Sequence, residues 1–223
     1  MSQVKVALIV FDCVELLDFA APLEILSVAS TSAGKAFDIS ILSETPTFKT
    51  SNGKGYTMMR DVDLFSPAGD PANWDVIIVP GGSGSRTQMR NEKLLDWIRT
   101  FARINVDIPD RKRKVILSVC TGSLILATAG ILDGMRVTTH HSARALIKVL
   151  AEEHGSDIEV VDDRIVEEAL RGKGGEDFGV DVITSGGVSS GIDASFYLVK
   201  RLIGVECAKD TASYIEYDWK DMY

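Results

Sequence analysis

Val115-Ile116-Leu117-Ser118-Val119-Cys120-Thr121-Gly122-Ser123, followed by Leu124-Ile125-Leu126-Ala127-Thr128-Ala129, decides how this chain is read. A short, nearly continuous apolar run is the pattern of a strand buried on both faces. The small residues behind it mark a sharp turn, and the second apolar stretch carries a helix. Buried strand, turn, helix is the order by which an α/β protein lifts one side chain into a strained elbow. Here that side chain is Cys120. The helix start supplies unpaired N–H groups and a positive dipole end, which favour a thiolate. Cys120 is therefore a candidate nucleophile rather than core filler.

Working outward, strands alternate with helices on both sides of this elbow. Residues 4–11, 37–42, 74–79 and 180–184 read as further strands, with shorter ones at 136–139, 158–161 and 164–166. Helical periodicity covers 18–33, with Pro22 in the first turn, then 91–104, 143–153, 190–203 and 205–217. Asn52-Gly53 signals a turn. Residues 167–179 are polar and Gly-rich and read as a mobile surface insertion. The alternation predicts an α/β fold, a doubly wound and mostly parallel sheet flanked by helices. At 223 residues, the expectation is a single domain over 1–223.

Composition narrows the function. A net charge of −8 repels phosphate backbones, so nucleic acid is not an expected partner. Arg111-Lys112-Arg113-Lys114 reads as a solvated loop before the Cys120 strand. No stretch approaches the roughly 20 apolar residues of a membrane span. The N-terminus lacks the pattern of a signal peptide. Three cysteines without paired spacing point to a reducing, cytoplasmic setting without disulfides.

In doubly wound sheets ligands sit beyond the carboxyl ends of the strands. Four features fall there: Asp18, Gly81-Gly82, Cys120 and Gly186-Gly187. Asp18 reads either as a helix N-cap or as an acid facing the thiol, with Glu15 and Glu24 as rivals. A carboxyl beside a thiolate keeps its proton and can return it to substrate. The N–H groups of Gly81 and Gly82 are candidates for half an oxyanion hole, with that of Thr121 as the other half. His140 is a candidate neighbour of the sulfur. His140 and His141 adjoin at a strand end, where side chains alternate faces, so a shared metal is not expected. Cys13 and Cys207 read as inert buried thiols.

These residues resemble the PfpI/ThiJ superfamily of class-I-amidotransferase-like, flavodoxin-like folds across essentially the whole chain. The likeness rests on Asp18 with Pro22, Pro80-Gly81-Gly82, and Ser118-Val119-Cys120-Thr121-Gly122. It continues through Gly130-Ile131-Leu132-Asp133-Gly134 to Thr138-Thr139-His140, and through Thr184-Ser185-Gly186-Gly187 to Ser190-Gly191-Ile192-Asp193. Within the superfamily the chain is most similar to the isonitrile hydratases and to the amidotransferase-like half of AraC-type regulators. The regulators continue into a helix-turn-helix domain, whereas this chain stops at Tyr223. The protease-like branch places His directly after its nucleophile, and Thr121 stands there instead.

The resemblance implies Cys120 as nucleophile, Asp18 as partner acid and Thr121 as a donor through its N–H and hydroxyl. It places Ile192 at the start of a helix near the sulfur. Addition of the thiol to a small isonitrile would give a thioimidate and then an N-substituted formamide. Glyoxalase-like action on small 2-oxoaldehydes, or cysteine redox sensing without catalysis, are the alternatives. No cofactor or metal is implied, and a homodimer is expected. The compact tail after Glu216-Tyr217-Asp218 and the 167–179 insertion depart from the hydratase pattern.

Overall fold

A computed structural model describes residues 2–51, 54–105 and 112–221. The Asn52-Gly53 turn, Arg111 of the basic run, and most of the polar segment before the Cys120 strand lie outside the described residues.

Seven strands form the main sheet: β1 Val4–Ile9, β2 Phe37–Ser43, β3 Val62–Asp63, β4 Val76–Val79, β5 Lys114–Val119, β6 Ile165–Arg171 and β7 Asp177–Ser185. Their spatial order is β6-β7-β5-β4-β1-β2-β3. All neighbours pair in parallel except β6 with β7. The chain runs outward from β1 to β3 and then crosses back to start again at β4. The order therefore reverses between β1 and β4, the topological switch point of an open α/β sheet.

The apolar run that opened the reading is β5. It lies near the centre of the sheet and Val115 to Val119 are all buried. Among the described residues six longer helices flank the sheet: α1 Leu16–Val28, α2 Glu92–Arg103, α3 Gly122–Thr128, α4 Arg144–His154, α5 Ser190–Leu202 and α6 Val205–Tyr214, with a further four-residue helix at Ser85–Gln88. They pack as two groups, α1 with α5 and α6, and α2 and α4 with α3. The first group reaches β5 through α5 and the second through α3. The mostly parallel sheet flanked by helices is the architecture that the alternating pattern predicts.

Three local readings are corrected. Residues 167–179 are not an irregular insertion. They belong largely to β6 and β7, which pair antiparallel from Ile165↔Ser185 to Arg171↔Asp177. The polarity of that stretch is that of a sheet edge, which charged side chains protect from further pairing. Arg113 and Arg201 bind Asp181 of β7, and Arg201 also binds Glu167 of β6. Next, α1 begins at Leu16 with Glu15 as its cap, so Asp18 is not the N-cap and Pro22 lies past the first turn. Finally, α1 ends at Val28, and residues 30–35 form a small antiparallel ladder rather than further helix.

Candidate active site

Cys120 follows β5 directly with a φ of 56°. For a residue with a Cβ this left-handed backbone costs on the order of 1–3 kcal/mol and persists only where the surroundings enforce it. Those surroundings are explicit. The Cys120 N–H donates to the carbonyls of Ser185 and Gly186, at 3.2 Å each. Its carbonyl accepts the Ser123 hydroxyl at 3.1 Å and the Thr139 hydroxyl at 3.0 Å. Ser123 also donates to Thr139 at 2.8 Å. Two buried hydroxyls and the end of β7 thus clamp the elbow. The sequence quoted Ser123 and Thr139 only as part of longer motifs, and their anchoring role emerges only from the fold.

Asp18 comes from the helix after β1 and is fully buried. Its Oδ2 accepts the N–H of Gly81 at 3.0 Å, whereas Oδ1 has no hydrogen-bond partner. The carboxyl lies close enough to the Cys120 thiol for each group to shift the other. Burial pushes the carboxyl up to about 7, against the Gly81 and Cys120 hydrogen bonds, and the charge of Glu15 adds to the rise. Asp18 therefore holds its proton through most of the acid range. Glu15 itself points to Ser51, accepting its hydroxyl at 2.9 Å, and Glu24 is exposed. Of the three acids, Asp18 is the one that meets the sulfur.

The thiol departs from the thiolate expectation. Burial pushes Cys120 up to about 12, and the charge on Asp18 adds to it. The N–H and hydroxyl of Thr121 pull the other way without prevailing. The short helix that follows is too weak a source of positive potential to offset a sulfur only 5% exposed beside a carboxylate. The two groups titrate as one unit. Once Asp18 loses its proton the pair carries one negative charge, and a second is strongly opposed.

Gly81 and Gly82 close in from the end of β4. A Cβ on Gly81 would stand 2.5 Å from both the N and Oγ1 of Thr121 and 2.9 Å from Asp18 Oδ2. Only glycine permits this approach. The oxyanion-hole expectation for these two residues is corrected, because both N–H groups are already committed. Gly81 donates to Asp18, and Gly82 donates to Thr121 Oγ1 at 3.0 Å. The Thr121 hydroxyl also receives Ser85 Oγ–H at 3.1 Å. Its side chain thus ties β4's loop to the elbow, while its N–H is directed to the sulfur.

Gly187 reaches the other side of the sulfur. A Cβ there would run into Cδ2 of His140 and stand 3.1 Å from Cys120 Sγ. His140 and the sulfur therefore both flank Gly187. Nδ1 of His140 bonds to the Ser142 hydroxyl at 2.8 Å. Burial, with the neighbouring His141, Arg86 and Arg144, lowers its pKa. The strand before it ends at Val137, so the two histidines do not alternate faces, and their rings lie 4.2 Å apart. Among the described residues no group of three acid, His or Cys side chains converges on a metal position.

Ile192 is the third residue of α5 and half-buried against the core. The segment in contact with the sulfur is Gly187, in the loop before that helix, and it was visible in the sequence as a glycine pair at a strand end. This loop is tethered from outside. Gly186 donates to the Arg164 carbonyl at 3.0 Å, Arg164 pairs with Asp193, and Asp193 accepts Tyr217 Oη–H at 3.1 Å. Tyr217 and Trp219 stack on Phe196 of α5. Of the other thiols, Cys207 is buried as expected, but Cys13 is exposed, with a φ of 62°. Its strand ends before the core does, so the thiol turns outward.

Asp18, Gly81, Cys120 and Gly187 thus arrive from the ends of β1, β4, β5 and β7, four adjacent strands, and meet at the switch point. A flavodoxin-like sheet built around one buried thiol–acid pair is the class of protein these features define. Residues 4–193 match the model of the DJ-1/PfpI family, and the chain belongs to that family. An isonitrile hydratase from Pseudomonas putida is 35% identical over 143 residues, covering 64% of this chain and 52% of that protein. The chain spans about half the length of that relative. A deglycase from Thermococcus kodakarensis is 30% identical over 100 residues, covering 45% of this chain and 54% of that protein. In fold, DJ-1beta of Drosophila melanogaster matches with a TM-score of 0.75 at 18% identity, covering 98% of this chain and all of that one.

Proposed function

We propose that the chain is a cysteine-dependent isonitrile hydratase acting through Cys120 and Asp18. The observation that carries the reading is the pair itself. A thiol at a strained elbow faces a buried carboxyl whose pKa is raised to about 7, and the residue after the cysteine is Thr121 rather than histidine. The likeness to an isonitrile hydratase at 35% identity supports it.

Near neutral pH the pair holds one charge, as carboxylate with thiol or as carboxyl with thiolate. The terminal carbon of an isonitrile accepts both a nucleophile and a proton. The S–H proton passes to the Asp18 carboxylate as sulfur bonds to that carbon, and the resulting carboxyl protonates the same carbon. The product is a thioimidate, Cys120–S–CH=N–R. Asp18, again a carboxylate, takes a proton from water as the water oxygen adds to the carbon. The protonated nitrogen and the departing sulfur then yield an N-substituted formamide and restore the thiol. Atoms balance as isonitrile plus water. Thr121 N–H steadies the sulfur, while His140, Gly82 and Ile192 shape the surrounding space.

Turnover of a simple alkyl isonitrile, followed as formamide by mass spectrometry, tests the reading. A wild-type rate no higher than that of Cys120→Ala removes it. The deglycase likeness favours one second reading, attack of the same sulfur on a small 2-oxoaldehyde. Lactate formation from methylglyoxal in the absence of formamide formation would select that alternative. Redox sensing at Cys120 has less support, because a buried thiol of raised pKa is a poor target for peroxide. A single domain over 1–223, a homodimer and a cytoplasmic setting complete the proposal. Sedimentation of the purified chain tests the homodimer.

A further inference from the structure

One cavity lies well away from the thiol. It measures about 660 Å³ and is lined by Asp133, Glu168, Arg171 and Lys173, at the end of the β6–β7 ladder opposite Ser185. A second cavity, of about 260 Å³, includes Gly187 in its wall and so shares a residue with the surroundings of the sulfur. Thr138, His141, Arg144, Arg164 and Ser190 also line it.

Two of the residues on that wall each carry a buried polar atom without a partner. Thr138 is fully buried, its N–H donates to Thr184 Oγ1, and its hydroxyl oxygen has no hydrogen-bond partner. Arg144 Nε is likewise buried and unpartnered. Arg144 uses its Nη2 on Asp162, a side chain 82% exposed. An exposed pair of this kind holds its members weakly. The other lining charges are better matched. Arg164 is fixed by Asp193 and Ser189, and Asp163 is paired with Arg136.

The unpartnered groups share one chemical demand. Arg Nε–H can only donate, and a Thr hydroxyl can donate. A buried donor without an acceptor is destabilising, so both favour a ligand that brings oxygen. Nε and an Nη of one guanidinium form the fork that grips a carboxylate through two hydrogen bonds. Asp162 occupies one tine of that fork and leaves the buried Nε–H without an acceptor.

We propose that this cavity is the substrate-recognition subsite and that it takes a carboxylate carried on the electrophile, held by Arg144 and Thr138. The inference rests on the hydratase reading for the identity of the reacting end. The carboxylate would meet Arg144, and the electrophilic carbon would reach Cys120 past Gly187, the residue shared by the cavity wall and the surroundings of the sulfur. Asp162 gives up its hold on Arg144 when substrate enters.

The test pairs a kinetic and a binding measurement. Isocyanoacetate and its methyl ester present the same electrophile with and without the charge. The acid is expected to show at least a tenfold higher kcat/KM than the ester. Arg144→Gln and Thr138→Val should bring that ratio to within about twofold, through KM for the acid. Independently of turnover, N-formylglycine is titrated calorimetrically into Cys120→Ala, with its methyl ester as control. The acid should bind at least tenfold more tightly, and adding Arg144→Gln should abolish the difference. Because the Arg144 side chain is about one third exposed, its variant remains informative should Thr138→Val fail to fold. Arg144-dependent binding of the acid without turnover of either isonitrile would support the subsite and remove the hydratase reading. Turnover of both isonitriles with equal kcat/KM, and no preference in binding, would overturn the subsite and leave the hydratase reading standing. Absence of both turnover and binding overturns both.

Discussion

Asp18 turns its carboxyl away from its own helix and accepts the backbone N–H of Gly81 at 3.0 Å across the switch point. An acid in the first turn of a helix normally lowers its pKa on the unpaired N–H groups there. Here the carboxyl turns into the interior, and burial prevails, to about 7.

That reversal gives stability a definite pH dependence. A carboxyl raised from 3.8 to about 7 binds its proton more tightly when folded than unfolded. Its contribution is fully present below about 4 and is lost as pH rises toward 7. At roughly 1.4 kcal/mol per unit, the loss amounts to a few kcal/mol. Denaturant unfolding between pH 4 and 8 should show the wild type losing stability relative to Asp18→Asn over this window. Parallel curves for the two proteins would contradict the buried, protonated acid.

Thiol reactivity should follow exposure rather than the elbow. With iodoacetamide at pH 8, Cys13 is expected to be alkylated at least tenfold faster than Cys120, read by peptide mass spectrometry. Burial and the Asp18 charge both hold Cys120 as a thiol. Asp18→Asn removes the charge but not the burial, so it should speed Cys120 alkylation without bringing it to the rate of Cys13. Faster labelling of Cys120 in the wild type would show that the Thr121 donors prevail after all.

Two glycines should behave differently when given a methyl group. At Gly81 the new atom meets the N and Oγ1 of Thr121, and the backbone there cannot yield. Gly81→Ala is expected to cost about 2–4 kcal/mol, as overpacking at a rigid site does, together with activity. At Gly187 the obstacle is the His140 ring, which can rotate. Gly187→Ala should cost less than about 1 kcal/mol in stability while lowering kcat/KM by tenfold or more, because it fills the space beside the sulfur. Equal stability losses at the two positions would mean that His140 is as fixed as the backbone.

Thr121 separates a hydroxyl from a shape. Thr121→Val leaves the Gly82 N–H without its acceptor, while Ser85 keeps its bond to the Gly82 carbonyl. A loss of about 1–3 kcal/mol is expected for an unsatisfied buried donor. Thr121→Ser keeps the oxygen and should recover most of it. Thermal unfolding of the two variants decides between a tethering hydroxyl and simple packing.

The sequence disclosed the sheet because buried strands write themselves as apolar runs: β1, β4 and β5 needed only hydrophobicity to be seen. It pointed to Cys120 because that residue sits directly beyond such a run, and to Asp18 because it lies in the first turn of the helix that follows β1. Of the β6–β7 ladder only the 164–166 and 180–184 portions were legible, and the rest was hidden, since an edge strand bearing Glu167 and Glu168 carries too many charges to look like sheet. Protonation was equally hidden. A helix start beside a cysteine suggests a thiolate, but only the fold reveals how completely Asp18 and the sulfur are withdrawn from water. The commitment of the Gly81 and Gly82 N–H groups likewise depends on where Thr121 and Asp18 turn, and spacing along a chain does not report that. Cys13 was misjudged because the residue type favours burial, whereas its loop exposes it.

Tyr217 and Trp219 are more than closing residues of the described chain. Through Phe196, Asp193 and Arg164 they brace the glycine pair that borders the thiol. Loosening the carboxyl-terminal end, by clipping or by a bulky fusion, should therefore be felt at the sulfur before the sheet notices, as lost turnover in a protein that still melts normally.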